Sequence, residues 1–141
     1  MIKRITAKQA YPLRQAILRP DGTLQDCIFN GDELATTHHY GYFDDETLVA
    51  IASVYERDFK DYKGRGRQLR SMAVAKGKQG QGLGHKLLAG ICQQLATDTD
   101  YLWANARVSA INFYRQASFE IDESVFDIAG VGPHQHIVKC F

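Results

Sequence analysis

The sequence has few cysteines and no long hydrophobic run, and both absences exclude classes of protein. Cys27, Cys92 and Cys140 lie far apart and none belongs to a Cys-x-x-Cys pair, which argues against a disulfide framework and a zinc knuckle. No apolar stretch approaches the roughly 20 residues needed to span a bilayer, and the first residues lack the apolar core of a signal peptide. We therefore expect a cytoplasmic protein with no membrane partner.

An excess of charge of one sign is also missing. The chain has 17 Lys and Arg against 16 Asp and Glu, a formal net charge of +1, so no global field favours nucleic acid. The three prolines are scattered, and no repeat or low-complexity tract divides the chain. At 141 residues with 45% hydrophobic content, the chain can bury one core. We predict one domain over residues 1–141.

What the sequence does contain is a glycine-spaced loop, residues 79–84, between a predicted strand at 69–74 and a predicted helix that begins near Leu83. Glycines let the backbone approach a ligand, and the free amides at a helix start attract anions, so the loop predicts a phosphate or pyrophosphate site. The dinucleotide fingerprint is not met, because it needs a third glycine three residues after Gly82, and that position is His85. The NTPase phosphate loop is not met either, because Gln79 follows Gly77 and Lys78.

Two motifs carry a resemblance to a known family. Gln79, Gly82 and Gly84 match Gln/Arg-x-x-Gly-x-Gly/Ala, and residues 110–119 are similar to Ala-x-x-x-Tyr-x-x-x-Gly-Phe. In both respects the chain resembles the GCN5-related N-acetyltransferase (GNAT) superfamily, over about residues 46–119. The resemblance implies an N-acetyltransferase that uses acetyl-CoA as co-substrate and transfers the acetyl group directly, in a ternary complex, to a primary amine of an unknown acceptor.

The hydrophobic pattern and the resemblance together predict an α/β fold. We expect strands at residues 2–5, 37–43, 47–55, 68–74, 101–106, 119–126 and 134–141, and helices at 12–18, from Leu83, and around Tyr114. Pro12 would then lie in a first helical turn. The implied GNAT fold is a mixed, mostly antiparallel sheet with flanking helices, in which two central strands splay apart to receive the thioester end of the cofactor.

The resemblance also implies which residues bind the cofactor. Backbone groups of Met72 and Val74, with Ala73 between them, are expected to pair with the pantetheine arm and the acetyl carbonyl, one amide acting as an oxyanion donor. The remaining predicted cofactor-binding residues are Gln79, Gly80, Gln81, Gly82, Leu83, Gly84, His85, Asn105, Asn112 and Arg115. No metal is predicted, because the His134-x-His136 pair lacks a third ligand at recognisable spacing.

Two catalytic roles can be given candidates. Tyr114 occupies the family's tyrosine position and is expected to act as general acid toward the sulfur of CoA. An amine with a pKa of about 10.4 is protonated at neutral pH, so a base or a water chain is also expected. The predicted strand before the loop has no carboxylate, so Glu56 at the end of the preceding strand is one candidate base. The alternatives are His38, His39, His134 and His136.

Several residues depart from the family pattern or remain open. Ser118 replaces the usual glycine, so we expect an altered turn there. Arg107 replaces a frequent asparagine, and Arg70 lies either in the acceptor cleft or in a salt bridge. Residues 13–42 and 127–136 are expected to shape the acceptor pocket. Its acidic residues are interpreted as solvated turn and cap residues, the alternative being that they attract a cationic amine: Asp21, Asp26, Asp32 and Glu33.

Two other functions remain as alternatives at this point. A non-catalytic acyl-CoA sensor or scaffold would need the loop but not Tyr114, and the missing strand carboxylate favours it slightly. A small nucleotide-binding domain is disfavoured by the glycine spacing. A homodimer is expected from the resemblance alone.

Overall fold

The computed structural model describes residues 1–60 and 62–141. The strands are β1 (Ile2–Ile5), β2 (His38–Asp44), β3 (Thr47–Glu56), β4 (Gly66–Val74), β5 (Tyr101–Arg107), β6 (Glu120–Ile121), β7 (Phe126–Ile128) and β8 (Gly132–Cys140). The helices are α1 (Ala7–Leu13), α2 (Leu83–Leu95) and α3 (Ile111–Gln116). A π-helical turn, Arg14–Leu18, continues α1, and 3₁₀ turns lie at Leu24–Cys27 and Val108–Ala110.

The strands form one mixed sheet in the order β1-β2-β3-β4-β5-β8-β6, and β7 pairs with the other half of β8. Neighbouring strands are antiparallel except β4 and β5, which are parallel and joined through α2. A parallel pair needs such a crossover, whereas the antiparallel β2 and β3 connect directly as a hairpin. The predicted α/β class and the mostly antiparallel sheet are confirmed.

The two central strands separate after a short stretch of pairing. β4 pairs with β5 only over the residues Gly66 to Gln68, although β4 continues to Val74. The register of β4 against β3 also shifts between the Ser53 and Ile51 pairs, and Ser71 takes a positive φ of 60° at this bulge. A bulge bends the strand that carries it, and the bend accompanies the predicted opening between the central strands.

Helix α2 covers one face of the sheet with the predicted apolar stripe. Leu87, Leu88, Ile91 and Leu95 are each at most 2% exposed and belong to the main core. Cys92 is also buried in this core. Within the described ranges of the chain, no helix is both long enough and apolar enough to cross a membrane.

Helix α1 differs from the prediction of a helix at residues 12–18. It begins at Ala7, where Thr6 and Gln9 form a reciprocal capping box with the backbone. Pro12 is therefore inside the helix and not in its first turn. Proline lacks the amide that a regular helix needs at this point, and the hydrogen bonding widens to a π turn two residues later. The cap at Thr6 was the missed signal.

The predicted strand at residues 119–126 is also wrong, because two short strands replace it. Both β6 and β7 pair with β8. Between them, the Asp122 carboxylate accepts the amide of Ser124 at 2.9 Å. An aspartate that bonds the backbone two residues ahead forms a local turn, which interrupts the strand. The final strand starts at Gly132, two residues before its predicted start.

The turn after α3 keeps the geometry that glycine usually supplies. Ser118 itself adopts a positive φ of 69°. The amide of Phe119 donates to the carbonyl of Tyr114, and the amide of Ser118 donates to that of Arg115, both at 3.1 Å. These two bonds make the usual αL helix end, the Schellman motif. The expectation of an altered turn is therefore wrong, and the serine takes on backbone strain instead.

Candidate active site

The glycine loop connects β4 to α2 and exposes a row of backbone groups. Gly77, Gly80 and Gly82 have φ values of 88°, 79° and 78°, and a Cβ built on any of them would meet no atom within 4 Å. Gly82 is the N-cap of α2 and has no side chain that could accept a hydrogen bond from the first amides of the helix. The first helical bond runs from the Lys86 amide to the Gly82 carbonyl at 3.1 Å. The open space therefore lies directly at the start of the helix.

This loop suits a phosphate group. The amides of Leu83, Gly84 and His85 precede the first helical bond and have no acceptor among the residues that the structure describes. The positive end of the α2 dipole lies behind them. The Gln79 side chain is not free for a ligand, because it donates to the Val74 carbonyl at 3.0 Å and ties the loop to β4. The residues present therefore fit a pyrophosphate held mainly by backbone amides.

Gly84 has a different function in the fold from the other loop glycines. A Cβ at Gly84 would lie 3.1 Å from the Phe113 ring and 3.4 Å from a Val74 methyl group. Phe113 stacks on His85 with ring centroids 4.3 Å apart and packs against the main core. The glycine thus lets α2 approach both α3 and β4.

A cleft of about 380 Å³ opens where β4 and β5 separate. Ser71 and Met72 of the bulge line it from one side, and Asn105 and Tyr114 line it from the other. Beyond Gln68, the backbone groups of β4 that face β5 have no partner strand. Met72 and Val74 are half-buried and Ala73 is buried, so this stretch offers main-chain donors and acceptors to a ligand in the opening.

Tyr114 is held in this cleft by aromatic contacts. Its ring meets Phe113 and Phe119 edge-on, with centroids 5.0 and 5.5 Å away. The side chain is buried, and burial raises the pKa of its phenol to about 12. Within the described part of the chain the hydroxyl has no hydrogen-bond partner. Tyr114 therefore stays protonated, and its hydroxyl can donate a hydrogen bond to a group in the cleft.

The predicted polar cofactor residues divide into two groups. Asn105 lies in the cleft, where its Oδ1 meets His136 Nδ1 at 2.8 Å. Asn112 and Arg115 are exposed on α3, and Arg115 approaches Glu123 at 3.7 Å. Neither of these two lines the cleft. Their predicted contacts with the cofactor remain predictions.

The candidate bases also lie in different places. Glu56 is exposed at the end of β3 and does not line the cleft, whereas the next side chain, Arg57, does. His39 is buried with both ring nitrogens engaged, by Ser53 Oγ at 2.7 Å and the Asp32 carbonyl at 2.9 Å. Half-buried His38 does not line the cleft, and burial lowers its pKa. Catalysis by Glu56 remains a prediction.

His134 is the histidine that lines the cleft. Its Nδ1 lies 2.7 Å from the Gly132 carbonyl, which can only accept, so Nδ1 carries the proton. In the neutral ring, Nε2 then holds a lone pair. His136 stacks between Phe59 and Phe126, and burial lowers its pKa. Among the described residues, no three side chains of the metal-ligating types cluster closely enough to hold an ion.

The segments predicted to shape the acceptor pocket do line the cleft. Arg14, Cys27 and Phe29 contribute from the first half of the chain, and Ile128 and Val131 from the second. The sequence analysis did not single out Arg14 or Phe29. A signal for Arg14 was present, because it follows Ala7, Ala10 and Tyr11 at helical spacing, on the buried side of the helix.

Asp32 was interpreted as a solvated turn residue, and this is wrong. It is 4% exposed and forms a two-pronged ion pair with Arg14, at 2.7 and 3.0 Å. Arg14 also donates to Ser53 Oγ and to the Tyr55 hydroxyl. Burial alone would raise the pKa of Asp32, but hydrogen bonds from Arg14, Tyr55 and the Phe29 amide outweigh it and hold that pKa below its usual range. This carboxylate is therefore not free to bind an amine.

Comparison with known proteins gives the class to which this site belongs. The model of the Acetyltransferase (GNAT) family matches residues 5–119. The uncharacterized N-acetyltransferase YitI of Bacillus subtilis (strain 168) is 30% identical over 135 residues, which cover 94% of this chain and 91% of that protein. The chain therefore belongs to the GNAT acetyltransferase family, and acetyl-CoA is its co-substrate.

Solved structures share the fold at low sequence identity. Escherichia coli ElaA superposes with a TM-score of 0.77 at 18% identity, over 99% of this chain and 98% of that one. A GNAT family acetyltransferase from Elizabethkingia anophelis with acetyl-CoA bound gives a TM-score of 0.72 at 17% identity, over 100% and 97% of the two chains. These likenesses confirm the predicted fold, with its central opening.

Proposed function

We propose that this acetyltransferase moves the acetyl group directly to a primary amine, within a ternary complex of enzyme, acetyl-CoA and acceptor. One observation carries the proposal: the free hydroxyl of Tyr114 and the unpaired edge of β4 face the same cleft, into which residues from both acceptor segments also project. A site that only stored or sensed the cofactor would need the glycine loop but would not need this arrangement.

The chain binds its co-substrate mainly through the main chain. The amides of Leu83, Gly84 and His85 take the pyrophosphate at the start of α2, and exposed Lys86 and Lys76 add positive charge beside it. Backbone groups of β4 from Met72 to Val74 pair with the pantetheine arm and polarise the acetyl carbonyl. When bound, acetyl-CoA supplies an activated acetyl thioester.

Tyr114 stabilises the departing sulfur. Its pKa of about 12 is roughly 3.5 units above that of a thiol at about 8.5. Complete proton transfer to the thiolate would therefore cost about 5 kcal/mol, at 1.36 kcal/mol per unit. A hydrogen bond from the phenol to the developing thiolate needs no such transfer and still lowers the barrier. We therefore assign Tyr114 the task of donating this bond.

His134 receives the proton that the amine loses. Its Nδ1 is fixed by the Gly132 carbonyl, so Nε2 is the basic atom, and the side chain lines the cleft. As the amine nitrogen forms the new C–N bond and the C–S bond breaks, the nitrogen's proton passes to Nε2 directly or through water. The products are an amide and the CoA thiolate, which takes up a proton from water or from the protonated His134 to give free CoA.

Direct transfer is supported by the state of the cysteine that lines the cleft. Cys27 is fully buried, burial raises the pKa of its thiol, and the Sγ lies 3.7 Å from the Thr23 carbonyl. A protonated thiol is a poor nucleophile. An acetyl-cysteine intermediate on Cys27 is therefore disfavoured.

Initial-rate kinetics with both substrates varied test the proposal, with CoA release followed as free thiol. A ternary complex predicts intersecting double-reciprocal lines, and Cys27→Ser should keep the wild-type kcat. Parallel lines together with an inactive Cys27→Ser variant would refute direct transfer. Tyr114→Phe should lower kcat by about 10²- to 10³-fold with little change in acetyl-CoA affinity, because one hydrogen bond to the developing thiolate is lost. An unchanged kcat would remove Tyr114 from the mechanism.

Three broader statements belong to the same proposal. Residues 1–141 act as one N-acetyltransferase domain, the protein works in the cytoplasm, and two copies associate as a homodimer. Light scattering on the purified chain tests the last of these, since a mass near the 15.9 kDa of one chain would exclude the dimer.

A further inference from the structure

The acceptor side of the cleft is lined by positive charge. Four arginine side chains form what we call the arginine wall: Arg19, Arg57, Arg70 and Arg107. Arg14 also lines the cleft, but Asp32 neutralises it. Within the described part of the chain, no aspartate or glutamate lines this cleft. A cationic acceptor would find no counter-ion here.

Arg70 is a member of the wall without a bonded partner in the described part of the chain. It lies on β4, directly before the bulge residue Ser71, and is half-buried. Its guanidinium carbon lies 4.3 Å from the Phe29 ring centroid and 5.4 Å from that of Tyr55. Among residues 1–60 and 62–141 its guanidinium has no hydrogen-bond acceptor and no salt bridge. Burial lowers its pKa, as expected for a charge without a counter-ion.

Arg14 provides an internal comparison. Its guanidinium carbon lies 4.6 Å from the same Phe29 ring. However, Arg14 is bonded to Asp32, to Ser53 and to the Cys27 carbonyl. The fold thus supplies acceptors to one of the two guanidiniums on this ring and leaves the other facing the cleft. A half-buried charge of this kind is stabilised by a paired anion.

Arg107 adds a second charge at the same opening. Its guanidinium donates to the Leu18 carbonyl at 3.2 Å, beside Arg19 and on the acceptor side. A guanidinium has five N–H donors, so most of those on Arg107 are not used by this bond. The guanidiniums of Arg70 and Arg107 line the same cleft, and a guanidinium can donate two parallel N–H bonds to the paired oxygens of a carboxylate or a phosphate.

We propose that the acceptor is a primary amine that also carries an anionic group, a carboxylate or a phosphate, which Arg70 binds with help from Arg107. This inference rests on the proposed amine acetylation. The wall also favours the chemistry, because nearby positive charges disfavour the protonated form of the amine. Polyamines and other purely cationic acceptors are correspondingly poor substrates.

Matched amines test this inference with the full chain, acetyl-CoA and the free-thiol assay. One arm compares amino acids with their carboxamides, a second compares O-phosphoethanolamine with ethanolamine, and spermidine represents cationic acceptors. We expect kcat/KM to be at least about tenfold higher for the anionic member of one pair. The arm that shows this preference identifies the anion. Equal or better turnover of spermidine or of the uncharged partners would overturn the inference while leaving the proposed function intact.

Variants locate the anion site. Arg70→Gln should raise the KM for the preferred anionic amine by about 10- to 100-fold, leave the KM for acetyl-CoA unchanged and abolish the preference over the uncharged partner. Arg4→Gln, at an exposed arginine on β1, is the matched control and should behave as wild type. A preference that survives Arg70→Gln would refute the assignment to Arg70. The wild-type substrate ratios need no variant, so they decide the acceptor class even if Arg70→Gln folds poorly.

Acetyl-CoA titration separates the two levels of failure. If acetyl-CoA binds but no amine is acetylated, the proposed transfer fails, and the inference fails with it. If amines are acetylated without regard to their charge, only the inference fails.

Discussion

Replacing Gly82 by alanine separates the binding function of the glycine loop from its function in the fold. Gly82 has a φ of 78°, and the space over its missing Cβ is open. Alanine in this conformation costs about 1–2 kcal/mol per residue, because its Cβ crowds the following carbonyl. The same change also places a methyl group where the phosphate would lie, at the free amides of α2.

Gly130 provides a matched control for the backbone cost. It has a φ of 77°, and a Cβ there also meets nothing within 4 Å, but it is exposed in the turn between β7 and β8. Both Gly82→Ala and Gly130→Ala should therefore lower the melting temperature by about 3–8 °C, as expected for 1–2 kcal/mol in a chain of this length.

Of the two variants, only Gly82→Ala should bind acetyl-CoA more weakly than the wild type. Losing one or two hydrogen bonds from amides to a charged phosphate costs about 1.5–3 kcal/mol, which is about 10- to 150-fold in Kd. Isothermal titration with acetyl-CoA measures this difference, and thermal melts measure the shared cost. Equal acetyl-CoA affinity in the two variants would refute the assignment of the loop as the phosphate site.

Two further predictions concern stability. Ser118→Gly should raise the melting temperature by about 3–5 °C, because glycine adopts the φ of 69° without the roughly 1 kcal/mol strain of serine, and an unchanged melt would show that the turn carries no strain. For Asp32, a pKa below the usual range means that the ion pair with Arg14 stabilises the fold above a pH of about 4 and is lost as the pH falls through the folded-state pKa. Asp32→Asn should lower the free energy of unfolding by about 3–5 kcal/mol at pH 7. In urea titrations at a series of pH values, the variant should also lose less stability on acidification than the wild type. A variant that loses as much stability in acid as the wild type would contradict the argument.

Patterns that are local in the chain predicted the fold well. The spacing of the apolar residues placed α2, and the glycine pattern placed its start at Leu83. The hydrophobic pattern also placed β2 and β3, whose predicted bounds agree with the observed ones to within one residue. These features depend on residues a few positions apart, so the sequence contains their physical cause. The resemblance of residues 110–119 supplied the position of Tyr114, which the structure places in the cleft.

Features that depend on distant residues were missed or misjudged. Arg14 and Asp32 meet across 18 positions, and no local motif indicates that the loop between them folds back to bury both charges. The interruption between β6 and β7 depends on the pairing of both strands with β8 and on a turn at Asp122. Propensity alone does not contain this information, because the competing hydrogen bonds come from another part of the chain.

The sequence by itself determined the family, the glycine loop and the position of Tyr114, because each depends on a short motif of closely spaced residues. Only the tertiary structure decided which guanidinium is neutralised and which remains free. No local sequence pattern tells which of Arg14 and Arg70 is paired, and both guanidiniums contact the same Phe29 ring. Among the described residues, the buried carboxylate of Asp32 forms an ion pair with Arg14 and with no other cation, and the placement of that single negative charge leaves Arg70 unpaired in the cleft.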